Sequence, residues 1–127
     1  PMHFHWSKME DIINRGGGEL VIELNKANSE DDQEFLDTPF EVTLDGVVRT
    51  FRPGEIVRLK PGESITLERY IYHKFWVEGG TTLVGEVSCV NDDSTDNRFH
   101  ETIGRFPEIE EDEAPIHYLC TEYPAAS

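Results

Sequence analysis

Basic residues are scarce in this chain: 11 lysines and arginines stand against 26 aspartates and glutamates, for a formal net charge of −15. A phosphate backbone or an anionic lipid surface would repel such a surface, so nucleic acid and membrane are poor partners for it. Long apolar runs are missing too. No stretch approaches the ~18 residues that a spanning helix needs, and no secretory leader pattern opens the chain. Cysteine is reduced to Cys89 and Cys120. Two thiols in 127 residues fit free cysteines in a reducing compartment, so a cytoplasmic setting is expected. Helical periodicity is nearly absent, which leaves little room for an α or α/β fold.

What the chain has instead is short alternating segments punctuated by glycine and proline. Leu20, Ile22 and Leu24 share one face of a half-buried strand. Residues 40–44 alternate and run into Asp45-Gly46, a strong hairpin signal, with 47–51 as the return strand. Pro53-Gly54 and Pro61-Gly62 bracket a strand over 55–59, and 65–67, 72–77 and 81–88 follow as three more. Gly16-Gly17-Gly18 reads as a turn closing the segment that holds Ile12 and Ile13. A short helix over 6–15 is the less favoured alternative. Residues 91–97 read as a loop, 108–113 as an acidic tail and 115–123 as a last strand. The length suits one domain with a real core, and the pattern predicts an all-β barrel or jelly roll.

Chemistry concentrates at the start, in His3-Phe4-His5-Trp6-Ser7-Lys8-Met9-Glu10. On a strand, residues i and i+2 point to one face, so His3 and His5 aim both imidazoles at one spot and Phe4 points away. If the chain bends through residues 6–9, Glu10 returns to the same spot on a neighbouring strand. His73, in Tyr72-His73-Lys74-Phe75-Trp76, is the natural fourth ligand. Three neutral imidazoles and a carboxylate suit a divalent ion, leaving two positions open in octahedral geometry. Open positions mark catalysis rather than structure. A lone histidine among aromatics is ordinarily a packed core residue; it is the combination that argues for a metal. His100 and His117 lie in polar surroundings and read as surface residues. A ligand strand so near the first residue also suggests the catalytic part of a longer chain that lacks its N-terminal segment.

The stretches from His3 to Gly18, Tyr72-His73-Lys74-Phe75-Trp76 and Gly85-Glu86-Val87-Ser88-Cys89-Val90-Asn91-Asp92-Asp93 resemble the D-lyxose isomerases of the cupin superfamily. The segment before His73, Glu68-Arg69-Tyr70-Ile71, departs from the proline and glycine usual in cupins. The resemblance implies a single cupin (jelly-roll-type) β-barrel domain over residues 1–127. It also implies a divalent metal, manganese first and zinc, cobalt or iron as alternatives, held by His3, His5, Glu10 and His73. The implied activity is aldose–ketose isomerisation through a cis-enediol, of D-lyxose to D-xylulose and in some members of D-mannose to D-fructose. Lys8 maps onto a lysine taken to be catalytic in that family.

Moving a proton between C1 and C2 of a sugar also calls for a carboxylate on one face of the enediol. Glu86 is the first choice, because an acid within the apolar segment Leu83-Val84-Gly85-Glu86-Val87 needs a reason. Solvent exposure on an edge strand is the bland alternative. Glu108 and Glu110 are further candidates. Asp92, Asp93 and Arg98 could hydrogen-bond sugar hydroxyls, and Trp6, Phe75 and Trp76 could wall the sugar. The expected assembly is a homodimer, the habit of cupin barrels. Two rival functions stay open on sequence alone, another metal-dependent cupin enzyme such as a dioxygenase and a non-enzymatic sugar-binding cupin domain.

Overall fold

The computed structural model describes residues 1–29, 33–89, 92, 94–101, 110, 112–114 and 116–118. Among these the regular structure is all β. The strands are β1 (His3–Phe4), β2 (Glu10–Lys26), β3 (Phe40–Leu44), β4 (Val47–Phe51), β5 (Glu55–Leu59), β6 (Ser64–Leu67), β7 (Ile71–Ser88) and β8 (Arg98–Phe99). They form one antiparallel sheet in the order β4-β3-β6-β2-β7-β1-β8, with β5 pairing β2 off that path. No helix among the described residues is long and apolar enough to cross a membrane. The Asp45-Gly46 hairpin forms as its sequence asks: both residues take positive φ, 46° and 79°, and Leu44 faces Val47 across the turn.

The glycine runs behave differently from the sequence expectation. Gly16-Gly17-Gly18 is no turn, residues 6–15 form no helix, and the segments 72–77 and 81–88 are not separate strands. β2 and β7 are continuous and pair along almost their whole length. Their ladder slips twice, between Asn14 and Gly16 and between Gly17 and Glu19. At this point the partner backbone comes so close that a Cβ on Gly17 would lie 2.0 Å from the Thr81 carbonyl oxygen. One on Gly18 would lie 2.2 Å from that of Glu78. Gly79 and Gly80 on β7 answer with φ of 78° and 125°. Glycine inside a strand marks a bulge or a close backbone approach as readily as a turn, and here it lets two long strands bend together.

The bend rolls the sheet. In the ladder Glu10 faces Ser88, while His73 faces Leu24 at the other end of β2. At ~3.3 Å per residue a flat ladder would hold Glu10 and His73 roughly 45 Å apart. Their side chains are 3.0 Å apart. The result is a curled antiparallel half-barrel of the cupin kind, with the two ends of the β2–β7 pair meeting inside it.

Two apolar clusters hold the curl. The larger fills the concave face, with Leu20, Ile22, Leu59, Ile65 and Leu67 all nearly fully buried. The smaller lies behind β1, where Phe4 and Tyr72 stack edge to face at 4.7 Å with Ala27, and Trp6, Phe35 and Tyr70 pack around them. Burying side chains of this size stabilises by about 1.5–3 kcal/mol each. Tyr70 carries the turn into β7 at φ 66°, a left-handed conformation that glycine takes more cheaply. This is where the sequence lacks the usual glycine, and the ring's edge-on contact with Phe4 at 5.6 Å helps to hold the turn.

Candidate metal centre

β1 delivers His3, His5 follows directly after it, β2 begins at Glu10, and β7 brings His73 alongside His3 in register. One ring nitrogen of each histidine lies within 4.8 Å of the others. The Glu10 carboxylate reaches two of them, with Oε1 3.5 Å from His5 Nε2 and 3.0 Å from His73 Nε2. Glu10 is 3 % exposed and His73 1 %, so water screens this contact little.

The orientation of the rings decides what the cluster can do. Each Nδ1 faces a backbone carbonyl: His3 that of Pro1 at 3.0 Å, His5 that of Asp96 at 2.9 Å, and His73 that of Ile71 at 2.9 Å. A carbonyl only accepts, so Nδ1 carries the proton in all three and each neutral ring presents a lone pair at Nε2. His73 Nε2 is buried and has no hydrogen-bond partner. With that lone pair it meets the Glu10 oxygen acceptor to acceptor, a repulsive contact unless a cation joins them. His3 in particular resists protonation: burial, and then the neighbouring His73, lower its pKa to about 4. A buried set of imidazole nitrogens and a carboxylate oxygen, pre-turned by outer hydrogen bonds, fits a divalent transition metal.

Lys8 closes the site on one side. Its side chain is 4 % exposed, and Nζ lies 3.0 Å from Glu10 Oε2 and 2.9 Å from Glu86 Oε1. Burial alone would lower its pKa, but hydrogen bonds to Glu86 and Glu10 outweigh that and hold it above the ordinary lysine value. Burial likewise works against charge on Glu10. The His5 and His73 rings, once protonated, and the Lys8 ammonium nonetheless hold its carboxyl well below the usual range. Glu86 faces Ile12 across the ladder and its side chain is 44 % exposed, so it touches both Lys8 and solvent.

The structure therefore brings together His3, His5, Glu10, His73, Lys8 and Glu86. Trp6 and Arg98 sit elsewhere: Trp6 packs edge-on against Phe4, and Arg98 pairs with Phe4 in the ladder, on the side of β1 away from the imidazoles. Asp92 spends its carboxylate on Ser94 and Thr95, whose hydroxyls and backbone N–H groups all donate to it. Glu108, Asp93 and Cys120 lie outside the described residues, as does most of 115–123. Glu110 is exposed. His100 is not a plain surface residue, since it stacks on Phe35 with centroids 4.2 Å apart.

Two neighbours of the site went unread in the sequence. Phe99 faces His3 across β1 and β8, with ring centroids 5.7 Å apart; strand alternation around Arg98-Phe99 was its only signal. Asp96 reaches the loop between the ligands, and nothing local announces that.

Comparison with known proteins bears on this geometry. The D-lyxose isomerase family model matches residues 1–123. The chain belongs to that family. A D-lyxose/D-mannose isomerase of Serratia proteamaculans is 55 % identical over 125 residues, covering 97 % of this chain and 54 % of that protein. A D-lyxose/D-mannose isomerase of Escherichia coli O157:H7 is 50 % identical over 125 residues, again covering 97 % of this chain and 54 % of its own length. The chain thus spans about half the length of the curated relatives it matches.

Proposed function

We propose that this chain carries the metal-dependent proton-transfer centre of an aldose–ketose isomerase. Its substrates are D-lyxose and D-xylulose, with D-mannose and D-fructose as the second pair that its relatives' names suggest. The supporting observation is the convergence of three Nε2 lone pairs and Glu10 beside a lysine shared by two carboxylates. His3, His5, Glu10 and His73 hold the ion, manganese first and zinc, cobalt or iron as alternatives. Once bound, a divalent ion supplies Lewis-acid polarisation of the sugar carbonyl and offsets negative charge developing on its oxygens.

The remaining steps belong to the chain's own groups. Glu86, half-exposed at the mouth, accepts the proton from C2 of the aldose at a carboxylate oxygen and returns it to C1. Lys8 keeps that carboxylate in place, and its ammonium gives a proton to O1 as charge builds there and regains one from O2 as the ketose carbonyl forms. Phe75, on the face of β7 that also presents His73, and Phe99 beside His3 give the sugar's carbon chain an apolar wall. Trp6 and Asp92, which line one cavity with Ser7, Thr95 and Asp96, contribute sugar contacts together with Arg98. Glu108 remains an alternative acid. The same reading retains a cytoplasmic homodimer. Beyond its one register pair with β1, the described part of β7 pairs only β2, and Leu83 and Val87 there are 70 % and 61 % exposed.

The test strips the protein with chelator, restores manganese and supplies D-lyxose without oxygen. Metal-dependent D-xylulose formation is the expected result, and it separates an isomerase from a dioxygenase. Bound manganese with no ketose from D-lyxose or D-mannose would refute the reading for this chain.

A further inference from the structure

The turn built from Asp92, Ser94, Thr95 and Asp96 is far from the histidines in sequence, yet it docks on the loop between them. Asp96 is 7 % exposed. Its two carboxylate oxygens accept separate backbone N–H groups, Oδ1 from Ser7 at 2.7 Å and Oδ2 from Lys8 at 3.0 Å. Its own carbonyl accepts the proton on His5 Nδ1 at 2.9 Å. One residue therefore grips His5, the lysine beside the site and Ser7 just before that lysine. The turn behind it is locked: the Asp96 N–H donates to the Asp92 carbonyl at 3.0 Å, and the Asp92 side chain ties Ser94 and Thr95.

We propose that Asp96 is the positioning residue of the metal centre. Its carboxylate sets the backbone of Ser7 and Lys8, and so the aim of Lys8 and of Glu10 two residues on. Its carbonyl fixes His5 as the tautomer that offers Nε2. The inference rests on the metal-centre reading above. A carboxylate suits the task because two N–H groups converge on it from one side, and charge-assisted bonds of this kind are the strong ones. Burying that charge is costly unless it is fully bound, and a segment needing only a turn has cheaper residues available. Hydrogen-bond partners of this sort fix ligand orientation and tune affinity.

The experiment compares the unmodified chain with Asp96→Asn, Asp96→Ala and a core control, Val57→Ala. Manganese affinity is read by chelator competition, at a temperature where each apo variant is folded by circular dichroism. Asp96→Ala should bind manganese roughly 10- to 100-fold more weakly. Asp96→Asn, which keeps one acceptor, should fall between. Val57→Ala should lose stability while keeping its affinity. Histidine nitrogen spectra should show His5 as the Nδ1–H tautomer in the unmodified chain and a mixture in Asp96→Ala. Affinities within twofold across the Asp96 variants would overturn the proposal and leave the metal centre standing. Failure of the unmodified chain to bind manganese would overturn both.

Discussion

Asn14 offers the sharpest test of how the barrel is closed. It is fully buried at the slip in the β2–β7 ladder and uses its whole side chain. Nδ2 donates to the Gly18 carbonyl at 2.8 Å and the Leu59 carbonyl at 2.9 Å, while Oδ1 accepts the Gly16 N–H at 3.0 Å. Asn14→Ala strands the buried Leu59 carbonyl and, at two half-buried glycines, the Gly16 N–H and the Gly18 carbonyl. At a net ~0.5–1.5 kcal/mol for each bond, the loss sums to about 2–4 kcal/mol. That is a large fraction of the ~5–15 kcal/mol that holds a domain together. Equilibrium urea unfolding reads it as a lower midpoint with unchanged slope. Asn14→Asp sharpens the test: the introduced carboxylate keeps the Gly16 bond but turns both donor contacts into facing acceptors. It should be worse than alanine at neutral pH and recover partly as pH falls. Because the bend brings Glu10 to His73, both variants should also weaken manganese binding. A loss under ~1 kcal/mol for Asn14→Ala would refute the view that this side chain organises the bend.

Three further outcomes follow from the same geometry. Gly17→Ala, with φ of 102° and its Cβ 2.0 Å from a backbone oxygen, should cost more stability than Asn14→Ala, read by thermal unfolding. The apo protein should lose stability as pH falls from 6.5 towards about 4, because the unfolded chain takes up a proton at His3 that the folded chain refuses. Glu10, held below its usual range, adds a loss of the same sign once pH passes below 4.5. The slope between pH 4 and 6.5 should shrink in His3→Asn, measured as urea midpoint against pH. Lys8→Met and Glu86→Gln should each lower kcat by roughly 10²- to 10⁴-fold while the protein still binds manganese. A variant that keeps near-full turnover would remove that residue from the proton path.

The shared face of His3 and His5 was legible because it is written in local rules. Alternation alone puts His3 and His5 on one face, and the same alternation puts Phe4 and Trp6 on the other, so the placement of Trp6 behind the strand was readable too. The all-β class and the hairpin at Asp45 were equally local. The roll of the sheet was not. Glycine at 16–18 signals a turn and a bulge equally well, and the choice between them is made by the Thr81 and Glu78 carbonyls on a distant strand. Asp96 was illegible for the same reason, since its partners lie 88 to 91 positions away. Asp92 carries its loop-forming role locally, through its own hydroxyl neighbours, while its place beside Trp6 on one cavity comes from the fold.

The bend and the proposed metal centre are best understood as one device. Ligands on a flat β2–β7 pair would sit at opposite ends, and no adjustment of side chains could span that distance. Glycines at the slip remove the Cβ atoms that would block the close approach of the two backbones, and Asn14 satisfies the polar groups the slip exposes. The curl then places Glu10 against His73, where two acceptors meet without a proton between them. That contact is unfavourable in the empty site and is relieved by a cation, so part of the metal's binding energy is expected to reappear as stability of the curl. Manganese should therefore raise the unfolding midpoint of the native chain by more than that of His73→Ala, in which one of the two facing acceptors is gone.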